Sequence, residues 1–203
     1  MWKQSNDPEF HAKYARVKAL YDKCPIRNAV ICRRVRSLVL RPYHGRTWEQ
    51  RGRVQQLPAT YGRSFGVRHM LAFYDVHADV LGGAIYLRKG GEEFLHFLQE
   101  LRKPYPRWMA LYVILDNFSP HKRQDVREWA SKNRIEMVFI ATNASWMNRI
   151  ECHFEPLRKF VLEGTFPRTH EELQRQLEEY LNRRNTHKRD EKLLRLQRRQ
   201  EVA

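Results

Sequence analysis

Two acidic residues, Asp116 and Glu151, have surroundings that would let them share a metal ion. They are separated by 34 residues. Asp116 directly follows the apolar run Leu111–Leu115, which is typical of a buried strand. Glu151 lies at the edge of a helical apolar stripe, on the same side as Asn148 three residues earlier. A carboxylate at a strand end and another on an adjoining helix could bind one divalent cation, and magnesium prefers such oxygen ligands.

The segment after Asp116 is predicted to hold this acid rigidly at the rim of a sheet. Ser119 is a suitable N-cap and Pro120 suits the first helical position, so a helix is predicted to start there and run to about Lys132. Ligand sites of α/β proteins collect at the carboxyl ends of strands. Asp116 is therefore placed where a site is expected.

The helix carrying Glu151 is predicted from apolar residues three and four positions apart. They are Met147, Ile150, Phe154, Leu157 and Val161. Pro156 falls inside this helix and lacks the N–H that would bond to the Cys152 carbonyl. A proline at this position costs about 3 kcal/mol unless the helix kinks.

The two acids stand in motifs that resemble a known family. Asp-Asn-x-x-x-His begins at Asp116, and Ser-x-x-Asn-x-Ile-Glu ends at Glu151. Together they resemble the catalytic core of DDE transposases, and more narrowly the bacterial insertion-sequence branch of the mariner superfamily. The resemblance runs over nearly the whole chain. It implies a ribonuclease H-like α/β fold, with a central mixed five-stranded sheet flanked by helices.

The resemblance also implies roles for individual residues. Asp116 and Glu151 would be catalytic ligands of Mg2+ or Mn2+, which in this family drive DNA cleavage and strand transfer in transposition. His121 would be catalytic, with its ring near the metal-bound phosphate or the Asp116 carboxylate. Asn117 and Asn148 would orient the carboxylates or the DNA.

The acid that the family carries on its first strand is missing here. Counting back from the matching Pro-x-x-Gly-Arg-x-Trp segment at 42–48 puts it at or near Arg33, with a second family acid at Arg34. No Asp or Glu lies between Asp22 and Glu49. A guanidinium about 4 Å from a cation costs roughly 4 kcal/mol per unit charge pair, even in a partly polar surrounding. Arg33 is thus predicted to be a degenerate first-acid position that weakens metal binding.

Asp75, on the next predicted strand, has two interpretations. It could replace the missing acid as a metal ligand. Alternatively, it ends its strand and shapes a turn with His77 and Asp79.

The charge of the chain points to a nucleic acid as partner. The net charge is +15, and the 27–68 segment holds ten arginines, no lysine and the single acid Glu49. Four arginines alternate there with aromatic residues and are predicted to bind DNA through phosphate contacts: Arg46, Arg51, Arg53 and Arg63. The alternatives are a packed surface loop for the aromatics and a solvated surface for the charges.

The remaining elements follow from apolar periodicity and turn residues. Helices are predicted over 8–23, from Gly90 onward and over 169–184, and strands over 67–76, 80–87 and 135–140. The 29–40 segment is either one strand or a hairpin with an Arg-rich middle. We divide the chain into an N-terminal helix and lead-in (1–28), the catalytic domain (29–166), and C-terminal basic helices packed on or trailing it (167–203).

Several classes of protein are disfavoured. No apolar run approaches 18 residues, so neither a membrane span nor a membrane partner is expected, and the start is not that of a signal peptide. Three cysteines without a Cys-x-x-Cys pair argue against a zinc site or a disulfide framework. The expected location is the bacterial cytoplasm, with association to the nucleoid when DNA is bound.

The sequence thus predicts a transposase catalytic domain that is truncated and catalytically impaired. This branch usually carries helix-turn-helix modules ahead of the domain, and few residues precede the first predicted helix. We interpret the chain as half of a split reading frame or as a remnant. The alternative is a non-catalytic DNA-binding regulator on the same scaffold. Duplex DNA is the predicted partner, together with either a second copy or a partner transposase subunit.

Overall fold

The computed structural model describes residues 5–45 and 66–186. Its centre is one mixed five-stranded sheet with strand order β3-β2-β1-β4-β5. The strands are β1 (Ala29–Val39), β2 (Val67–Asp75), β3 (Val80–Tyr86), β4 (Leu111–Leu115) and β5 (Ile135–Phe139). The first three strands form an antiparallel meander, whereas β4 and β5 run parallel to β1. The carboxyl ends of β1, β4 and β5 therefore meet at one edge.

Helices cover both faces of this sheet. They are α1 (Phe10–Asp22), α2 (Gly91–Arg102), α3 (Gln124–Lys132), α4 (Glu151–Leu157) and α5 (His170–Thr186). Helices α2 and α3 pack on the face that carries Ile31 and Val113. Helices α1, α4 and α5 pack on the face that carries Val30 and Ile114. The predicted mixed five-stranded sheet flanked by helices is confirmed, and both terminal helices share a core with it.

Strand β1 settles one open alternative. The 29–40 segment forms a single strand whose arginines lie within it, not a hairpin. It is buried on both faces over its first five residues, because helices pack on each face of the sheet. Cys32 lies opposite Ile114 of β4 in parallel register.

Two predicted helix starts are wrong. The chain forms a 3-10 turn at Ser119–Lys122, and α3 begins only at Gln124 because Arg123 has extended backbone angles. Ser119 makes no side-chain capping bond. A second 3-10 turn occupies Ser145–Met147, and α4 begins at Glu151 itself. Asn148 and Glu151 are therefore not neighbours on one helix face.

Two features of the sequence, Pro156 inside a predicted helix and the cap of α5, can be compared with the structure. Immediately after α4, which contains Pro156, the chain continues as a π-helical turn over Arg158–Leu162, an irregularity of the kind that bends helices. The side-chain oxygen of Thr169 accepts the Glu172 N–H at 3.1 Å, so the predicted cap of α5 is confirmed. No helix in the described ranges is both long and apolar enough to cross a bilayer.

Candidate active site

The structure brings Asp116 and Glu151 together at the carboxyl edge of the sheet. Asp116 directly follows β4, and Glu151 is the first residue of α4. Both side chains are partly buried, with 31% and 27% of their surface exposed. Between them lies the guanidinium of Arg34: its Nη1 is 2.9 Å from Glu151 Oε1 and 3.6 Å from Asp116 Oδ2. One positive group thus pairs with both acids.

Arg33 lies on the opposite face of β1, because neighbouring side chains on a strand alternate. Its side chain is among the largest buried ones, with the residue 2% exposed. The guanidinium stacks over the Phe94 ring at 4.6 Å and over the Phe97 ring at 5.8 Å, both on α2. Burial lowers the pKa of Arg33 from its usual value. The residue predicted at the degenerate first-acid position therefore does not face the two acids.

The His121 ring contacts both Asp116 and Arg33, whose side chains belong to opposite faces of the sheet. Its ring is fully buried in the 3-10 turn after β4. The Nδ1 atom lies 3.0 Å from the Asp116 carbonyl oxygen and 3.2 Å from Asp116 Oδ1, while Nε2 makes a short contact with Arg33 Nη1. The ring also packs against Phe94. His121 thus positions the Asp116 carboxylate and provides a partner for the buried Arg33.

The two predicted orienting asparagines bind backbone groups. Asn117 Nδ2 donates to the Ile140 carbonyl at 2.9 Å, which ties the ends of β4 and β5 together. Asn148 is fully buried, and its Nδ2 donates to the Arg33 carbonyl at 2.9 Å. The Asn148 carbonyl accepts the Glu151 N–H at 3.0 Å. Asn148 therefore fixes the start of α4 against β1.

The Asp75 carboxylate binds groups outside the site formed by Asp116 and Glu151. Its Oδ1 accepts the N–H groups of His77 and Ala78, and its Oδ2 accepts the Tyr105 hydroxyl at 2.9 Å. It pairs with Ile31, three residues before Arg34 along β1. The structure therefore supports a turn-shaping role, and Asp75 does not replace the missing acid.

Opposing effects set the charges of the two acids. Burial raises the pKa of Asp116, but the hydrogen bond from His121 and the charges of His121, Arg33 and Arg34 outweigh it and leave that pKa below its usual value. Burial raises the pKa of Glu151 despite the nearby charges of Arg34 and Arg36. Arg36 was not foreseen as a neighbour of the site. The available signal was its spacing of two residues from Arg34, which puts both on one face.

The donor set does not fit a two-metal centre as it stands. Such a centre needs anionic ligands that hold two cations about 4 Å apart. Here two carboxylates converge on a guanidinium, and the described ranges hold no group of three His, Cys, Asp or Glu residues that could hold a metal ion. The Arg34 guanidinium occupies the space between the two carboxylates and offsets part of their charge.

The four arginines predicted to bind DNA lie in the 46–65 segment, outside the described residues. The basic 187–203 segment lies outside them as well.

Residues 36–174 match the model of a family described as "DDE superfamily endonuclease". The chain belongs to this family. The matched range holds Asp116 and Glu151 and begins just after Arg34. The resemblance to DDE transposases inferred from the motifs around the two acids is therefore confirmed.

A curated relative points to the same branch. The insertion element IS630 uncharacterized 39 kDa protein of Shigella sonnei is 24% identical to this DDE-family chain over 158 residues. The match covers 76% of the chain and 45% of the relative. The chain thus spans about half the length of this relative.

Solved structures of the Mos1 transposase share the fold. The Mos1 strand transfer complex has a TM-score of 0.69 at 13% identity, covering all of this chain and 62% of that one. The catalytic domain of the Mos1 mariner transposase has a TM-score of 0.66 at 10% identity, covering all of this chain and 93% of that one. Mos1 paired-end complexes are known with Mn and with Mg. The predicted ribonuclease H-like fold is confirmed.

Proposed function

We propose that this chain is a DDE transposase catalytic domain that binds DNA but has lost most of its metal-dependent strand cleavage. Arg34 stands in the place of the acid that is missing from β1. The observation that carries this proposal is the double contact of the Arg34 guanidinium with Asp116 and Glu151.

The register of the sheet supports Arg34, not Arg33, as the substituted position. Strands β1 and β4 are parallel, with Cys32 opposite Ile114. Two residues further along each strand, Arg34 and Asp116 reach the same edge on the same face, because side chains repeat with a period of two. A carboxylate at position 34 would face Asp116 and Glu151. A carboxylate at position 33 would lie among Phe94 and Phe97.

Electrostatics explains the expected loss of cleavage. Exchanging a bridging carboxylate for a guanidinium changes the local charge by two units. At about 4 Å, each unit charge of a cation is then repelled by roughly 4 kcal/mol at an effective dielectric of about 20. The ion pairs with Asp116 and Glu151 compete with any metal for the same oxygens. Mg2+ and Mn2+ binding should therefore be weakened.

DNA binding does not depend on the missing acid. The net charge of +15 and the abundance of arginine in the 27–68 segment favour contact with a phosphate backbone. Because this attraction releases counterions, affinity for any duplex should fall steeply as salt is raised. Affinity that is undetectable or insensitive to salt would remove the DNA-binding half of the proposal.

Nicking of supercoiled plasmid in the presence of Mn2+ tests the catalytic half. Wild type should nick little or not at all, whereas Arg34→Asp should restore nicking by completing the acidic set. Adding Asp116→Asn to Arg34→Asp should abolish the gain. The control Arg36→Asp makes the same change of charge at an exposed position on the same face and should give none. Strong wild-type nicking that Asp116→Asn removes would show an intact enzyme and overturn the proposed impairment.

A further inference from the structure

A site lined by basic residues lies between the ends of α2 and α3. It is a cavity of about 510 Å3. The residues lining it include no acid, and five of them are basic: Arg102, Lys103, Arg107, Lys132 and Arg134. Tyr105 and Trp129 also contribute to its wall.

This cavity is at the edge of the sheet opposite the two acids. Arg134 directly precedes the first residue of β5, and the segment from Lys103 leads into the start of β4. The cavity is therefore near the amino ends of the parallel strands. Asp116, in contrast, follows the carboxyl end of β4.

Structural roles account for three of the five basic residues. The Arg102 guanidinium is buried and donates to the carbonyls of Tyr105, Pro106 and Met109, so it shapes the turn after α2. Lys103 pairs with Glu100 at 2.6 Å, and Arg134 donates to the Trp108 carbonyl.

Arg107 and Lys132 have no such role. Both side chains are exposed, and neither forms an ion pair with a residue in the described part of the chain. Lys132 lies in the last turn of α3, where a cation interacts with the negative end of the helix dipole and stabilises the helix by about 0.3–1 kcal/mol. Arg107 lies outside any helix. These two residues are free to contact a ligand.

The basic groups repel one another in the absence of an anion. Burial lowers the pKa of Arg102, and the charges of Arg107 and Arg134 lower it further. An anion seated in the cavity would relieve this repulsion. Arginine forks and lysine ammonium groups are the usual partners of phosphate oxygens.

We propose that this cavity binds phosphate groups of a nucleic acid, with Trp129 and Tyr105 beside the sugar or base. The contact lies apart from the acids, so the chain would hold DNA at two opposite edges of its sheet. This inference rests on the DNA-binding half of the proposed function and not on the loss of cleavage. Wild type that binds no duplex would remove both, whereas equal losses of affinity in the two double variants described below would remove only this inference.

The test compares two double variants that change the net charge equally. Arg107→Glu with Lys132→Glu alters the cavity, whereas Lys23→Glu with Arg127→Glu alters exposed basic residues outside its lining. Binding of a short fluorescent DNA duplex is followed by anisotropy as salt is varied. The cavity variant should bind about tenfold or more weakly at low salt, and its log–log salt slope should fall by about one for each phosphate that it no longer neutralises. The affinity of the control variant should fall clearly less.

Equal losses of affinity in the two variants would mean that only overall charge matters and would overturn the proposal. Unchanged DNA affinity in the cavity variant would also overturn it, even if inorganic phosphate raised the Tm of wild type and not of the variant. In that case, the site would bind free phosphate only. The alanine pair, Arg107→Ala with Lys132→Ala, provides the same comparison if the glutamate variant fails to fold by circular dichroism.

Discussion

Arg34 Nη1 lies 2.9 Å from Glu151 Oε1, while the side chain of its neighbour Arg33 stacks on Phe94 across the sheet. Two adjacent arginines therefore face opposite layers of the protein. One contacts both Asp116 and Glu151, and the other is buried against the aromatic side chains of α2. This difference leads to different expectations for the same substitution at the two positions.

Arg33→Asp and Arg34→Asp should differ in how Mn2+ affects their stability. A carboxylate at position 33 would be buried where only 2% of the residue is exposed, so the free energy of unfolding should fall by about 3 kcal/mol or more. At position 34, the new carboxylate would repel Asp116 and Glu151, so Arg34→Asp should also be destabilised as long as no cation is bound. Urea unfolding measures both. Added Mn2+ should stabilise only Arg34→Asp, and equal stabilisation of the two variants by Mn2+ would contradict the assigned faces.

His121 should be energetically coupled to Arg33. Removing the buried ring by His121→Ala leaves the Arg33 guanidinium without its short hydrogen bond, so the free energy of unfolding should fall by about 2 kcal/mol or more. Arg33→Met in the His121→Ala background should recover part of this loss, because no charge is then buried. A double-mutant cycle from urea unfolding gives the coupling. Strictly additive effects would show that the two residues do not interact.

Asp7 should make stability depend on pH in the acidic range. Its carboxylate is 4% exposed, accepts the Thr142 N–H at 2.8 Å and pairs with Lys13 at 2.9 Å. The Thr142 hydrogen bond and then Lys13 hold the pKa of Asp7 well below its usual value. Because the folded pKa is lowered, the stabilisation is present above the ordinary aspartate pKa and is lost as pH falls through the folded value.

Asp7→Asn should therefore melt at a lower temperature than wild type at neutral pH, with the gap in Tm closing below about pH 4. Asp22→Asn is the matched control, since Asp22 makes an exposed pair with Lys18 on α1. A Tm gap for Asp7→Asn that stays constant with pH would argue against an ionised, hydrogen-bonded carboxylate.

The sheet and the location of the two acids could be predicted because local signals marked them clearly. Short apolar runs bounded by turn residues identified β2 to β5, whereas the 29–40 segment could have been one strand or a hairpin. Asp116 could be recognised as the residue where β4 stops. Thr169 could be recognised as the cap of α5 from its side chain and from the acids that follow it. These features depend on neighbours within a few residues.

The face of each arginine could not be predicted from the sequence. Residues 30–32 of β1 are apolar and buried on both faces, so no alternation indicates which side chains point where. Counting back from the Pro-x-x-Gly segment locates the missing acid only to within one residue. An error of one residue moves the side chain to the opposite face of the strand. The pairing of Cys32 with Ile114 and the stacking of Arg33 on Phe94 assign the faces.

The contacts of Asn148 also could not be predicted from the sequence. Apolar spacing over 147–161 predicted one continuous helix, but the bond from Asn148 to the Arg33 carbonyl holds the preceding residues in a turn. That bond joins residues 115 positions apart. A contact over such a distance has no local signal.

Binding of Mn2+ to purified wild type, Arg34→Asp and Arg34→Asp with Asp116→Asn, followed by the electron paramagnetic resonance signal of free Mn2+, tests the role of Arg34 most directly. Wild type should leave the signal of free Mn2+ unchanged, whereas Arg34→Asp should reduce it and the double variant should again leave it unchanged. Wild type that binds Mn2+ as tightly as Arg34→Asp would contradict the proposal that the Arg34 guanidinium occupies the cation position between Asp116 and Glu151.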